Sequence, residues 1–403
     1  MEGRDFLKVL HIIGSVNPTG GGPIEWIKQI GRAAGEHQTE IVSLDSPNAP
    51  FLAECPLPVF ALGPGITKYG YSRRFVPWLR ANRSQYDAVV VHGIWHFHSF
   101  GAWRALRDSS TPYVVYTHGM LDPWFKKRYP LKHLKKWMFW PWSDYRVLRD
   151  AQAVLFTCEE ERDLARKSFW LYRSKEVVVN FGTAGIPDDA SCQKEAFFAG
   201  FPELREKKIA LFVGRIHPKK SCDLVIQAFE KVLAKDRSAD WQLVFVGPDG
   251  IGWRRELSAL AERLGVSSRI TWTGMIPDDM KWGALRAAEF FFFPSHMENF
   301  GIVVSEALSA GLPTLISNQV NIWREIQADG AGLVADDNLE GACSLLRSYL
   351  ELPLDRKAAM RRAARFCFER RFEIKKGVET LHVVLAAAMK ENQPAANLSW
   401  IRQ

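Results

Sequence analysis

Short, uninterrupted apolar runs recur along the chain, and most are followed by a stretch with helical spacing. In the first half the runs are Leu7–Ile13, Thr39–Leu44, Ala88–His92, Tyr113–Thr117, Ala153–Thr157 and Glu176–Asn180. In the second half they are Ile209–Val213, Gln242–Val246, Ile270–Thr273, Phe290–Phe293 and Pro313–Ile316. They are rich in β-branched and aromatic residues and do not alternate with polar ones. Strands of this kind are covered on both faces, as in parallel sheets. Between them, Asp223–Leu233 sets Leu224, Val225, Ala228, Phe229, Val232 and Leu233 on one helical stripe. Glu256–Leu264, Phe300–Ala310 and Ala358–Glu369 read the same way.

Strand then helix, repeated, predicts a doubly wound α/β fold. The pattern runs twice, and 403 residues are too many for one core. The stretch Gly182–Phe201, with Gly182, Gly185, Pro187, Gly200 and few periodic apolar residues, reads as the linker between two such domains. Domains of this type bind ligands outside the carboxyl ends of their strands, in the cleft between them.

Composition narrows the setting. The apolar and charged fractions are those of a folded globular chain, with a weakly patterned tail at Glu391–Gln403. Lysine and arginine exceed acidic residues to a formal charge of +8, and the excess is local. Lys126, Lys127, Arg128, Lys132, Lys135 and Lys136 lie together with no acidic residue among them, a patch that attracts anions. The scattered Cys55, Cys158, Cys192, Cys222, Cys343 and Cys367 form no Cys-x-x-Cys pair, which argues against structural zinc and suits a reducing compartment. The first residues lack the regions of a signal peptide, and no apolar run nears the roughly 20 residues that span a bilayer. The expected location is cytoplasmic, with at most a peripheral contact at the inner face of a membrane.

Four blocks carry chemistry. In the first, the buried strand ending at Pro294 is followed by Ser295-His296-Met297-Glu298-Asn299-Phe300-Gly301-Ile302 and a helix reaching Gly311-Leu312-Pro313. The helix's first N–H groups carry partial positive charge and suit a diphosphate, while Gly301 permits close backbone approach. Glu298 and Glu306 are eight residues apart, one at the helix mouth and one about two turns in, and their carboxylates suit vicinal hydroxyls. A bare pair of glutamates is also what a solvated helix face gives; the surrounding Pro-Ser, Asn-Phe-Gly, Glu-Ala and Gly-x-Pro set this pair apart. The second block, Val213-Gly214-Arg215-Ile216-His217-Pro218-Lys219-Lys220-Ser221, puts Arg215 and Lys220 just past a strand end, where a rigid fork and a point charge suit phosphate. In the third, Gly14-Ser15-Val16-Asn17-Pro18-Thr19-Gly20-Gly21-Gly22-Pro23 sits between a strand and a helix, as a phosphate- or sugar-approaching loop or a plain turn. It lacks the spacing of a dinucleotide fingerprint. In the fourth, His118 and Gly119 follow a strand and lead to Asp122 and Trp124. The cluster His92, Trp95, His96 and His98 follows another strand. Trp95, His96, Asp122 and Trp124 are candidates for an acceptor wall, with a structural turn as the alternative. Zinc at the histidines lacks any clustered carboxylate or cysteine.

The Glu-x7-Glu block and the Arg215–Lys220 block resemble those of family-four, group 1 type glycosyltransferases of the GT-B fold. That resemblance covers most of the chain and is specific from Val213 to Pro313. It implies two Rossmann-like domains facing across a cleft: 1–185 on the acceptor side, with helix 374–390 packing back on it, and 186–373 binding a nucleotide-sugar donor. It implies that Glu298 touches the donor sugar and that Glu306 holds the ribose. The amides of Asn299, Phe300, Gly301 and Ile302 meet the sugar or diphosphate. It implies that Arg215 and Lys220, with Gly214 beside them, hold the diphosphate, and that the loop with Gly21 and Gly22 lines the cleft near the donor phosphates or at the acceptor side. His118 lies against the donor sugar. Gly274 and Met275 offer backbone groups to the base. The family has glycine after the lysine, where this chain has Ser221.

The activity so implied is retaining transfer of a hexose from a UDP- or GDP-sugar to a glycan or lipid-linked acceptor, in exopolysaccharide or cell-surface polysaccharide synthesis. No carboxylate nucleophile stands out, so same-face attack, with the departing phosphate taking the proton, is the expected route. No Asp-x-Asp follows an apolar strand among Asp188-Asp189, Asp278-Asp279 and Asp336-Asp337, so no metal or other cofactor is expected. Lys126–Trp142 joins the basic run to Trp137, Met138, Phe139, Trp140 and Trp142, which suits an anionic membrane surface or a core face with solvated cations. Tyr71, Arg73, Arg74, Phe75 and Trp78 are candidates to extend that surface. Nucleic acid explains the basic run and nothing else. Alternatives of other classes are a nucleotide-sugar epimerase of the same fold, whose acid–base cluster is not evident, and a non-catalytic sugar-nucleotide-binding protein, which needs neither glutamate.

Overall fold

The apolar runs become parallel strands. The computed structural model describes residues 6–18, 21–124, 126, 129–187, 190–236 and 240–392. It divides into one unit holding the residues through Phe181 together with those from Ile374, and a second unit, Gly182–Glu373.

The first unit is built on β1 (Lys8–Ile12), β2 (Gln38–Ser43), β3 (Val59–Ala61), β4 (Ala88–His92), β5 (Tyr113–Tyr116), β6 (Ala153–Phe156) and β7 (Glu176–Val178). They form a seven-stranded sheet in the order β3-β2-β1-β4-β5-β6-β7. Its ladders are parallel, and β1 meets β4 with His11 beside Val90. The strand order reverses between β1 and β4, where a doubly wound sheet opens a crevice at its carboxyl edge. The C-terminal helix Ile374–Glu391 packs against helix Gly22–Ala33 and β4, burying Val378, Leu381 and Leu385. The tail beyond Asn392 lies outside the described residues.

The second unit carries β8 (Lys208–Val213), β9 (Trp241–Val246), β10 (Ile270–Gly274), β11 (Phe290–Phe293), β12 (Thr314–Ser317) and β13 (Gly332–Ala335). The six-stranded order is β10-β9-β8-β11-β12-β13, again parallel, reversing between β8 and β11. All four phenylalanines of β11 are fully buried, Phe290 against Tyr349 and Trp241 and Phe293 against Phe212. A strand covered on both faces needs this continuous apolar run.

The Gly182–Phe201 stretch corrects the sequence reading. It is no open linker: Ala190–Gly200 is a helix that packs on helix Asp278–Ala287. Phe197 is fully buried, and Gly283 lets the helices approach so closely that a Cβ there would lie 2.1 Å from the Gln193 carbonyl oxygen. Small residues at a close helix crossing leave little periodic apolar signal. Asp188 and Asp189 lie outside the described residues.

After β8 the short turn Pro218–Lys220 ends at Ser221, and helix Cys222–Ala228 follows. Ser221 is fully buried in the left-handed region, at φ 54°, and its Oγ has no hydrogen-bond partner. Left-handed backbone costs a residue with a Cβ roughly 1–2 kcal/mol, and a lone buried hydroxyl adds to that. The greater freedom of unfolded glycine offsets only part of it. Ser221→Gly should therefore raise unfolding stability by about 1 kcal/mol, read as a higher urea midpoint at unchanged slope. A lower midpoint would show that the serine's packing outweighs its strain.

Candidate active site

In the second unit, the carboxyl edge of the sheet is lined by glycine. Gly214, Gly247 and Gly274 end β8, β9 and β10 in a row, all at positive φ. Gly247 N–H donates to Gly274 O at 2.9 Å, and a Cβ on Gly247 would lie 2.1 Å from Gly214 O. Any larger residue at Gly247 would push the strand ends apart. Nothing lies within 4 Å of a Cβ built on Gly274, so its face is open, and the neighbouring Met275 is 78% exposed.

Two loops meet beside this edge. Ser295 Oγ donates to Lys219 O at 2.9 Å, and His296 N–H donates to the same carbonyl at 3.0 Å. These bonds tie the loop after β11 to the turn after β8. They bring Lys220 Nζ to Glu298 Oε2 at 2.5 Å, with the ammonium also 5.5 Å from the Phe293 ring centre. Glu298 is fixed from both sides of its own backbone: its N–H donates to Gln319 O, and its carbonyl accepts from Asn321 N–H, each at 3.0 Å. Its Oε1 accepts from Asn299 N–H at 3.1 Å. Arg215 is exposed and has no hydrogen bond or ion pair among the described residues. The helix after this loop, Ile302–Ser309, starts at Gly301 with φ 75° and has no side-chain cap, while Phe300 is buried with its ring against Phe372. An uncapped helix start, a free guanidinium and an ammonium with a carboxylate partner are groups suited to a polyanion.

Glu306 is different. It is buried, and its Oε1 lies 3.1 Å from Lys281 Nζ. Burial alone would lower the Lys281 ammonium, but the charges of Glu306 and Asp278 outweigh it and hold it above its ordinary value. Lys281 was not legible from sequence. It stands 25 positions before Glu306 on another helix, and only the fold makes them neighbours.

The first unit holds a neutral, aromatic counterpart. Past β1, Ser15 Oγ and Val16 N–H both donate to Asp45, at 2.6 and 2.8 Å, shaping the loop toward Gly21. Gly21, at φ 84°, caps helix Gly22–Ala33, and Gly20 lies outside the described residues. Past β5, His118 and Gly119 are both left-handed, at φ 49° and 71°. The buried Glu161 holds this turn. Its carboxylate accepts from Thr117 Oγ1, Gly119 N–H, Thr157 N–H and Thr157 Oγ1, all within 2.6–2.8 Å. His118 Nε2 lies 2.9 Å from His92 Nδ1, and His92 Nε2 lies 2.9 Å from His11 Nδ1. Burial drives these histidines toward the neutral form: His11 and His118 fall to about 3, and His92 well below its ordinary value. His98, taken to about 4 by burial, donates from Nε2 to His92 O at 2.8 Å, because a carbonyl can only accept. Its buried Nδ1 is thus a bare acceptor, without a partner, 3.5 Å from where a Cβ on Gly14 would sit.

Trp95 is left-handed at φ 72°. Its N–H donates to buried Asp144 at 2.7 Å and its indole N–H to Met120 O at 3.2 Å. His96 is exposed, with Nδ1 3.2 Å from Lys68 O. Asp122 and Trp124 share a turn in which the carboxylate accepts Trp124 N–H at 2.7 Å. Of the basic-aromatic stretch, Trp140 follows the core reading and not the surface one: it is fully buried and stacks on Phe169. Phe75 is likewise buried and belongs to the core rather than to a surface. Lys127 and Arg128 lie outside the described residues. Among the described residues no three or more His, Cys, Asp or Glu side chains are arranged to hold a metal ion, and no helix is long and apolar enough to cross a membrane.

Comparison with known proteins shows the family and the fold. Residues 30–182 match the glycosyl transferase 4-like domain, and residues 193–366 match the glycosyl transferases group 1 family. Over 377 residues the chain is 26% identical to a GDP-mannose:cellobiosyl-diphosphopolyprenol alpha-mannosyltransferase of Xanthomonas campestris, covering 91% of this chain and 93% of that one. It is 30% identical over 149 residues to a D-inositol 3-phosphate glycosyltransferase of Rhodococcus opacus, over 36% of this chain. That match spans only 33% of the relative's own length. The fold is similar to sucrose-phosphate synthase of Thermosynechococcus elongatus, at a TM-score of 0.76 and 17% identity, covering 96% of this chain and all of that one. It is also similar to a lipopolysaccharide glycosyltransferase, WaaG, at 0.64 and 19%, covering 93% and 99%. With both family domains matched in order and both parallel-sheet units in place, the chain belongs to the group 1 glycosyltransferases of the GT-B fold.

Proposed function

We propose that this glycosyltransferase moves a hexose from a UDP- or GDP-sugar onto a glycan or lipid-linked saccharide, with retention at the anomeric carbon and without a metal. The observation that carries the reading is the grouping of Arg215, Lys220, Glu298 and the uncapped start of helix Ile302–Ser309 at one strand edge. When the bond between sugar and diphosphate breaks, the leaving group gains negative charge. In this reading Arg215, Lys220 and the helix amides stabilise that charge. Glu298 and the His118 turn are the donor-sugar contacts in this reading, and Glu306 is the ribose contact. With no nucleophilic carboxylate assigned, the acceptor attacks from the face the diphosphate leaves, and a phosphate oxygen takes its proton. The Xanthomonas relative, whose name specifies GDP-mannose and a diphosphopolyprenol acceptor, favours a GDP-sugar and a lipid-linked saccharide, hence cell-surface polysaccharide synthesis.

A lipid-linked acceptor calls for a membrane-facing surface, and we assign that role to helix Pro130–Phe139. It buries no side chain. Leu131, Leu134 and Met138 form an exposed stripe flanked by Lys132 and Lys135, with Phe139, Trp142 and Trp170 exposed nearby. Apolar and basic groups mixed in this way suit the headgroup level of an anionic bilayer at the cytoplasmic face.

Three outcomes are expected. A nucleoside diphosphate matching the donor should raise the melting temperature by several degrees at about a hundred times its Kd, and Arg215→Ala should abolish the shift. If UDP, GDP, ADP and CMP all leave the melting point unchanged, the donor site is misassigned. Glu298→Ala should lower kcat on the order of a hundred-fold in a transfer assay on lipid-linked saccharides; an unchanged rate would remove Glu298 from the site. Leu131→Ser with Met138→Ser should weaken sedimentation with anionic vesicles and leave turnover on a water-soluble acceptor intact. Equal sedimentation of the variant and the parent would exclude this helix as the contact.

A further inference from the structure

A line of three imidazoles runs behind the His118 turn. His11, His92 and His118 come from β1, β4 and the end of β5, at the point where the strand order reverses. The rings are near-parallel, at 19° and 15°, with each N···N contact at 2.9 Å. Tyr116 stacks on both His92 and His118, Trp26 meets His92 edge-on, and Phe181 meets His118 edge-on, so water is kept from the inner nitrogens. No hydrogen bond to the outer nitrogen of His118, Nδ1, is formed among the described residues.

A nitrogen–nitrogen contact of this length accommodates one proton. With none, two lone pairs face each other; with two, two N–H groups collide. A neutral imidazole has one proton, so the central His92 dictates both neighbours. If His92 carries it on Nε2, it donates to His11 Nδ1 and accepts from His118 Nε2–H, leaving His118 Nδ1 a bare lone pair. If His92 carries it on Nδ1, it donates to His118 Nε2 and accepts from His11 Nδ1–H, and His118 then presents Nδ1–H. Any other distribution breaks a contact in a place where no water can mend it.

We infer that His92 and His11 are positioning residues that lock His118 into one tautomer, so that its outer nitrogen meets a substrate hydroxyl in one defined role, donor or acceptor. His118 cannot change role alone, because all three rings must exchange their protons together. The consequence for transfer rests on the reading of His118 as a donor-sugar contact; the tautomer does not, and is read without turnover.

The test is nitrogen NMR of the full chain with labelled histidine, assigned by the His118→Ala spectrum. In the parent protein His118 should show one protonated and one bare ring nitrogen, well separated. His92→Leu should collapse them toward an averaged pair. In the transfer assay it should lower kcat between about five-fold and about a hundred-fold, with KM within about two-fold. His92→Gln, whose amide can donate on one side and accept on the other, should recover most of the rate. Averaged His118 nitrogens in the parent, or nitrogens indifferent to His92→Leu in a folded protein, would overturn the inference. If His92→Leu does not fold, His11→Leu gives the same readout from the far end of the line. Unchanged turnover in His118→Ala, with the tautomer result intact, would remove the sugar contact and leave the coupling standing.

Discussion

Each sheet reverses its strand order once, and that constraint places everything chemical in this chain. In a parallel sheet, the strands on either side of the reversal send their following segments in opposite directions. Backbone amides and carbonyls are then exposed at one edge with no strand to pair them. The chain meets the demand with residues that turn sharply. Gly214, Gly247 and Gly274 do so in the second unit, and Trp95, His118 and Gly119 in the first. Left-handed backbone at a residue with a Cβ persists only where its surroundings over-determine it. Here they do: Asp144 grips Trp95, and Glu161 accepts two hydrogen bonds from the residues flanking His118 while two more from Thr157 anchor it.

The two edges solve opposite electrostatic problems. In the second unit charge is kept, and each glutamate has a lysine: Glu298 has Lys220, and Glu306 has Lys281. Arg215 is exposed and makes no hydrogen bond or ion pair among the described residues, so in the proposed function its desolvation cost falls at the moment a ligand replaces water. In the first unit the histidines are driven neutral. Burial holds His11, His92, His98 and His118 neutral, so what they offer is direction, a donor or an acceptor at a fixed place, rather than field.

The fold class was legible in sequence because parallel strands are buried on both faces and write themselves as unbroken apolar runs. The strands that went unread were β3 and β13, and both lie at sheet edges. An edge strand has a neighbour on one side only, and Val59–Ala61 and Gly332–Ala335 remain largely half-buried, without a run long enough to notice. The Ala190–Gly200 helix was missed for a related reason: its docking depends on Gly283, and a glycine's missing side chain leaves no apolar mark. At the candidate site, Arg215, Lys220, Glu298 and His118 could be singled out because each lies in the loop that follows a strand, in a local motif. Lys281, Glu161, Gly247 and the role of His11 were not. Their significance lies in partners at sequence distances of 25 to 81 positions, or in a close approach between adjacent strands, and no local pattern encodes either.

The two glutamates show why burial has to be read together with partnership. An ionised carboxylate taken out of water is costly unless paired, and removing one partner of such a pair leaves the other stranded. Glu306 is the more buried of the two, and the Lys281 ammonium is held above its ordinary value by that carboxylate and Asp278 despite its own burial. Most of the desolvation of Glu306 has therefore already occurred in folding. In the proposed function, a hydroxyl group meeting that carboxylate finds it already withdrawn from water and held by Lys281, so the new hydrogen bond carries little further reorganisation cost. Glu298 is more open, and its lysine is itself a natural partner for phosphate. A diphosphate drawing Lys220 toward itself would loosen the Lys220–Glu298 pair and free the carboxylate for the sugar. In the proposed function, then, the pair whose carboxylate is buried acts as a rigid holder, and the pair whose carboxylate is more open is the one whose partners exchange when the donor arrives.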